Sequence, residues 1–341
     1  MRRRKEPSRN ISIVDVARLA KVSISTVSRV INKSASVKEQ SRKRVLEAIE
    51  RLKYRPSVLA QRLATGKSNV IALIIPRYEG IFYSFYALEI IRGVGTLTAA
   101  LKLDLLLHLT DAYTSFNASG VGGIIFADII QNRKQLEEVL ELGIPCIVIN
   151  NYVKDLEVSC IAIDNQKASE QVVDYLVGLG HRRIAHITGD LLTQAAQDRL
   201  EGYTNGLKKH NIPLREEYIL KTDYSRGQAR QAAEKMLELK ERPTAVFVAS
   251  DSMALEVMAL AQERRVFVPR DLSVVGFDDN PSGLYGPVAL TTVRQPLVKM
   301  AQDAVKELNV IMNMGVKNVP IRKKYFPCEL VIRDSCQPPQ Q

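Results

Sequence analysis

The chain has 341 residues, 46% of them hydrophobic and 25% charged, with a formal net charge of +11. Those values fit a globular protein of two or three domains with a sizeable core. No apolar run reaches the roughly 18–20 residues that cross a bilayer, and no apolar segment follows the basic start MRRRKEPSRN, so the expectation is a soluble cytoplasmic chain with no membrane partner.

The charge is unevenly placed. Residues 1–69 hold 18 Lys/Arg and 5 Asp/Glu, a net +13, while the remaining 272 residues carry −2. A small cationic head on a near-neutral body points to a polyanion as partner of the head alone. The four cysteines, Cys146, Cys160, Cys328 and Cys336, form no Cys-x-x-Cys, and the four histidines show no ligand spacing with them. Reduced thiols, no metal and no cofactor are expected.

In chain order, residues 1–10 read as a basic arm. Ser12 offers an N-cap with Asp15 in the first turn, and Ile13, Val16, Ala17 and Ala20 form one apolar face of a helix. Lys21-Val22-Ser23 breaks it. A second helix runs from Ile24 to about Asn32, with Val27 and Ile31 inward and Ser25, Thr26, Ser28 and Arg29 outward. A third, from Lys38 to Leu52, supplies Val45, Ile49 and Leu52 to a three-helix core. A helix with small polar residues at its start and an Arg one turn on suits approach to base edges. Ile24 is ambiguous, since its spacing to Val27 also suits the core.

The stretches DVARLAKVSISTVSRVIN and SRKRVLEAIERLKYRPSVLAQRLATGKSNVIALIIP closely resemble the lac and purine repressor family of bacterial transcription regulators. The resemblance is specific over residues 11–76 and looser to the C-terminus. It implies that Ile24, Ser25 and Arg29 read bases, and that Ser12, Ser23, Thr26, Ser28, Asn32 and Tyr54 make phosphate or flanking contacts. It also implies that residues 57–69 are a hinge and linker whose helix, 57–65, is paired on DNA, with Leu63 wedged into the minor groove. A helix that short is marginal alone in water.

From Asn69 onward, short apolar runs alternate with amphipathic segments. VIALIIP, LDLLLHL, VGGIIFADI, PCIVIN, CIAID, RIAHITG, TAVFVAS and LSVVGF are the strand candidates. Helical patterns cover 133–142, 167–179, 199–210, 227–239 and 252–264. Such alternation predicts parallel, doubly wound α/β sheets, too many strands for one sheet and hence two lobes. The resemblance makes these a periplasmic-binding-protein-like body at 70–341, following in sequence an all-α helix-turn-helix head at 11–56. It implies a first lobe of 70–163 and 292–324 and a second of 164–291 and 325–341.

Ligands of open α/β sheets sit at the carboxyl ends of the strands. By family position the effector residues are Asn150, Arg199, Ser250 and Asp278, with Tyr83 as a wall. Two departures from the family pattern stand out. Only about eleven residues separate LLLHLT from GGIIF, too few for the usual helix, and RYEGIFYSF lacks the usual signal after the first strand. Thr65-Gly66-Lys67-Ser68 ends like a phosphate loop, but Gln61 stands where that motif needs Gly. Gly93-Val94-Gly95 falls inside a helix, and no nucleophile, base and oxyanion set assembles.

The sequence therefore predicts a DNA-binding transcriptional repressor and not an enzyme. It would act as a homodimer on a near-palindromic operator, controlled by a sugar-like or nucleobase effector. A solute receptor would need an export signal and no basic head. A sugar- or nucleotide-processing enzyme would need a catalytic constellation.

Overall fold

A computed structural model describes residues 11–31, 36–54, 68–77, 81–111 and 116–340. The basic arm, Asn32 and the hinge segment with Leu63 lie outside these residues. The chain divides into two compact units, Met1–Ser68 and Asn69–Gln341.

In the first unit three helices are described: α1 (Ile13–Ala20), α2 (Ile24–Ile31) and α3 (Glu39–Leu52). Val16, Ala17 and Ala20 of α1 meet Val27 and Val30 of α2 and Val45 and Ala48 of α3 in one buried cluster. Ile31 and Ile49, expected at the centre, pack at its margin, while Val30 and Ala48 take the fully buried places. The small alanines allow the close crossings that a core of this size needs. Lys21 and Lys53 close α1 and α3 in the left-handed conformation at φ 51° and 49°. There their charge also complements the carboxyl ends of the helix dipoles.

The second unit holds two six-stranded sheets. The first lobe contains β1 (Val70–Pro76), α4 (Phe85–Ala100), β2 (Asp104–Thr110), β3 (Gly123–Ala127), α5 (Arg133–Glu141), β4 (Cys146–Ile149) and β5 (Ser159–Ile163). The second contains α6 (Asn165–Gly178), β6 (Ile184–Ile187), α7 (Gln194–Lys209), β7 (Ile219–Leu220), α8 (Arg226–Leu237), β8 (Ala245–Val248), α9 (Asp251–Glu263), β9 (Ser273–Asp278) and β10 (Thr291–Arg294). The chain then returns to the first lobe with α10 (Leu297–Met314) and β11 (Lys323–Phe326), and ends in the second with β12 (Glu329–Val331).

The sheet orders are β11-β5-β4-β3-β1-β2 and β12-β10-β9-β8-β6-β7, parallel throughout except for β10 with β12. Both lobes thus share one winding, with a switch point between β1 and β3 in one and between β6 and β8 in the other. That is where open α/β sheets present ligand crevices. The buried β1, β3, β4 and β8 are unbroken apolar runs because helices cover both faces.

Three features differ from the sequence reading. The crossings fall at Gln295-Pro296 and Pro327-Cys328, a few residues after those implied, because Thr291–Arg294 pairs in the second sheet and Lys323–Phe326 in the first. β7, β10, β11 and β12 were absent from the strand candidates, being short or flanked by charge. Between β2 and β3, the described residues 111 and 116–122 hold no helix. A turn at Ser119-Gly120 stands there, and Phe116, Ala118 and Val121 cover the face over Ala72, Ile74 and Phe126. The edge strand β2 leaves Leu106 and Leu107, on opposite faces, exposed.

Gly93 lies where α4 and α10 cross. A Cβ there would stand 2.7 Å from both the Ala301 Cβ and the Val298 carbonyl oxygen. Gly93 of the Gly-Val-Gly run is therefore a helix-crossing notch.

Candidate nucleic-acid interface and ligand cleft

In the head, α2 is held at its start by Ser23, whose Oγ accepts from the Thr26 N–H at 3.2 Å. The same oxygen bonds the Ser25 hydroxyl at 2.8 Å and the Thr26 hydroxyl at 2.9 Å, a cluster of three hydroxyls at the positive end of a helix dipole. Ile24, Ser25, Ser28 and Arg29 fall within one sector of roughly 140° at 3.6 residues per turn, opposite buried Val27 and Val30. Ile24 is 48% exposed, which resolves its ambiguity: it projects from the outer face. Arg29 is exposed, with no acidic partner among the described residues.

Two other predicted contacts are constrained. The Asp15 carboxylate accepts from the Ser12 N–H at 2.9 Å and from its hydroxyl at 2.7 Å. The Ser12 hydroxyl is thus a donor to Asp15, and would have to exchange that bond to reach a phosphate. Tyr54 is 9% exposed, with its ring in the helical core and its hydroxyl pushed above the usual phenol range by burial.

In the body, polar groups from both lobes converge at the carboxyl ends of the strands. Asn150 follows β4 at φ 71°, and its Nδ2 donates to Asp128 Oδ2 at 2.9 Å. Asp128 itself follows β3 at φ 86°. From the second lobe comes Arg199, on α7 and 4% exposed. Its Nε donates to Asn165 Oδ1 at 2.8 Å and its Nη1 to the Ala249 carbonyl at 2.6 Å, and its guanidinium lies 3.6 Å from the Phe277 ring centroid. No carboxylate is ion-paired with it among the described residues. Its charge acts on Asp278 and Asp128, one from each lobe.

Asp278 ends β9 at φ 125° and accepts from Gln295 Nε2 at 2.6 Å. Burial pushes its carboxyl well above the usual range, against the pull of Arg199. Beside it Asp251 is raised by burial too, and accepts from Thr292 Oγ1 and the Asn280 N–H at 2.6 Å each. Asp279 is ion-paired with Arg294 at 2.6 Å and Arg333 at 2.5 Å. These bonds fix the loop after β9 and so aim Asp278.

Tyr224, in the loop after β7 at φ 68°, senses Arg199, Asp128 and Asp278 together. A Cβ on Gly189 would lie 2.0 Å from its ring, so only glycine at the end of β6 admits that ring. Left-handed backbone at Asp128, Asn150, Tyr224 and Asp278 concentrates strain at one place, as functional sites do. Asn150 Oδ1 and Gln295 Oε1 are buried and accept no hydrogen bond among the described residues. A ligand carrying donors would satisfy both. Across the cleft, Gln194 of α7 accepts from the Tyr152 N–H at 2.7 Å and donates to its carbonyl at 3.3 Å, clasping the lobes.

Of the five predicted effector residues, three meet here: Asn150, Arg199 and Asp278. Ser250 caps α9 through the Met253 N–H, which gives it a structural task beside the cleft. Tyr83 is 89% exposed on a single turn, Ile81–Tyr83, and forms no wall. Asp128, Tyr224, Asn165 and Gln295 escaped the sequence reading. The carboxyl-end rule reaches Asp128, directly after the apolar run GIIFA. Tyr224 follows a strand of two residues, too short to leave a pattern.

Residues 12–57 match the model for bacterial regulatory proteins of the lacI family, and residues 173–336 match the periplasmic binding protein-like domain. The chain is 34% identical over 313 residues to catabolite control protein A of Priestia megaterium, covering 89% of this chain and 93% of that one. Among solved structures, the lac repressor dimer bound to operator and the anti-inducer ONPF superposes with a TM-score of 0.83 at 25% identity, over 96% of this chain and all of that one. A complex of the transcriptional regulator CelR with cellobiose gives 0.72 at 25% identity, over 95% and 99%.

Proposed function

The chain belongs to the lacI family of bacterial regulatory proteins, as a transcriptional repressor, and from that premise we propose that it binds a near-palindromic operator as a homodimer under the control of a small molecule in the cleft. The observation that carries the DNA half is the outer face of α2. Ile24, Ser25 and Arg29 stand exposed on a helix whose start is capped and whose arginine has no acidic partner among the described residues. An exposed guanidinium is suited to a two-pronged contact with guanine, and Ile24 to a thymine methyl. Ser12, Ser23, Thr26, Ser28, Asn32 and Tyr54 serve as phosphate or flanking contacts, and Leu63 as the minor-groove wedge.

The effector half rests on Asp128, Asn150, Arg199, Tyr224 and Asp278. Acceptors, one cation and an aromatic ring around the cleft suit a polar ligand rich in hydroxyl or N–H donors, a sugar first and a nucleobase second. The relatives support that choice, one being complexed with cellobiose. Homodimerisation is supported by the lac repressor dimer, and by apolar residues exposed on both lobes, Leu88, Leu106 and Leu107 on one and Leu284 and Tyr285 on the other. A symmetric dimer presents two copies of α2 to two half-sites. The +13 head supports work beside DNA, and with it a cytoplasmic location.

Binding of the full chain to operator DNA, titrated against salt, tests the DNA half. Affinity is expected to fall steeply, with a log–log slope of about −0.9 for each phosphate contacted. A flat response removes the head as a DNA binder.

A further inference from the structure

At the far end of the second lobe, an open cavity of about 790 Å³ lies where the chain enters β6 and β8. The strands are parallel, so this is the end opposite the cleft. Five of the side chains lining it are cationic, against one acid, Glu241, which is ion-paired with Arg215. Arg182, Arg183, Lys240 and Arg242 are exposed and have no carboxylate partner within ion-pair distance among the described residues. On a body whose net charge is −2, four uncompensated cations around one cavity run against the ordinary interspersing of signs.

Two of these arginines are pre-aimed. Arg183 Nε donates to the Arg242 carbonyl at 3.0 Å, and Arg242 Nε donates to the Leu237 carbonyl at 3.0 Å. Each stem is fixed through Nε, leaving the two terminal nitrogens as a planar fork of the kind that matches phosphate oxygens. Behind them the Tyr203 hydroxyl donates to the Ile184 carbonyl at 2.8 Å and the Tyr218 hydroxyl to the Glu241 carbonyl at 2.7 Å. Tyr203, Leu207 and Tyr218 are buried beneath the cationic rim, so the side chains open to a ligand are chiefly the arginines and Lys240, with Asn211 and Pro213 beside them.

We propose that this cavity binds a phosphate monoester, at a site separate from the cleft and independent of the operator reading. A dianion engages several cations at once, whereas a single carboxylate would occupy one fork and leave the rest unmatched. The volume falls within the roughly 300–1,000 Å³ of small-molecule sites. Helix α7 carries Arg199 into the cleft and Tyr203 and Leu207 to this cavity, so one rigid element touches both places.

The test is calorimetric titration of the full chain at low ionic strength with ribose 5-phosphate, adenosine 5′-monophosphate and inorganic phosphate, beside ribose and adenosine. At least one ester is expected to bind, at least tenfold more tightly than its unphosphorylated counterpart and than phosphate alone. That binding should survive Arg199→Ala, and should drop about tenfold in Arg182→Gln/Lys240→Gln. Neither side chain makes a hydrogen bond or ion pair among the described residues, so the double variant should melt as the parent does. The proposal is overturned if neither ester binds or if phosphate alone binds as well as the esters. It is equally overturned if the double variant leaves binding unchanged while Arg199→Ala abolishes it.

Discussion

Two side chains show how local chemistry sets what each unit can do. Arg29 stands exposed one turn beyond a cluster of three hydroxyls. Arg29→Ala is expected to cost about 1–3 kcal/mol at one base pair of each half-site, and little at the others. Binding to a panel of single-base operator variants reads this, and a uniform loss would demote Arg29 to a phosphate contact. Asp278 is the opposite case, an acid that folding makes harder to ionise. Burial pushes its carboxyl up to about 7, so between its unfolded value near 4 and that point the folded state binds the extra proton. Stability contributed by this group is therefore greatest at low pH and declines as pH rises to about 7. Asp278→Asn, which mimics the protonated form, should melt higher than the parent above about pH 8, with the gap closing below about pH 4. Equal melting temperatures across that range would show that the carboxylate is not disfavoured there.

At the scale of elements, close approach decides what is tolerated. Gly93 and Gly95 lie two residues apart on α4 but face different surroundings. A Cβ on Gly93 meets the Val298 carbonyl at 2.7 Å, whereas one on Gly95 meets nothing nearer than Leu105 Cδ2 at 4.0 Å. Gly93→Ala should destabilise the body by about 1–3 kcal/mol through overpacking. Gly95→Ala should stabilise it by up to about 1 kcal/mol through helix propensity. Denaturant midpoints compare the two, and equal effects would show that the α4–α10 crossing is not tight. The same contrast explains which elements were legible. VIALIIP and PCIVIN are recognisable because a strand covered on both faces must be apolar throughout. Ile219–Leu220 is too short to carry a period, and KKYF at the sheet edge is exposed at Lys324 and Tyr325 and buried only at Phe326. In the cleft, Asn150, Arg199 and Asp278 were legible because strand ends and family position coincide there. Tyr83 misled because a residue after the first strand need not turn inward, and here it stands on an exposed turn. Tyr224 depends on the notch at Gly189, a packing relation across 35 positions that no local pattern records.

Across the whole molecule, charge and fold divide the labour. The cationic unit carries a rigid three-helix reader, and the body carries two lobes of one winding whose polar strand ends meet around Arg199. A ligand bonded to both lobes would favour one lobe arrangement over another, and that difference is what can be transmitted to paired heads. The central claim is that two copies of α2 read two half-sites together. Selection of duplexes by the full chain from a randomised pool tests it most directly. The account predicts enrichment of inverted half-sites at a fixed spacing, with Arg29→Ala relaxing the same base pair in both halves. Enrichment of a single unpaired site, or of no sequence, would contradict it.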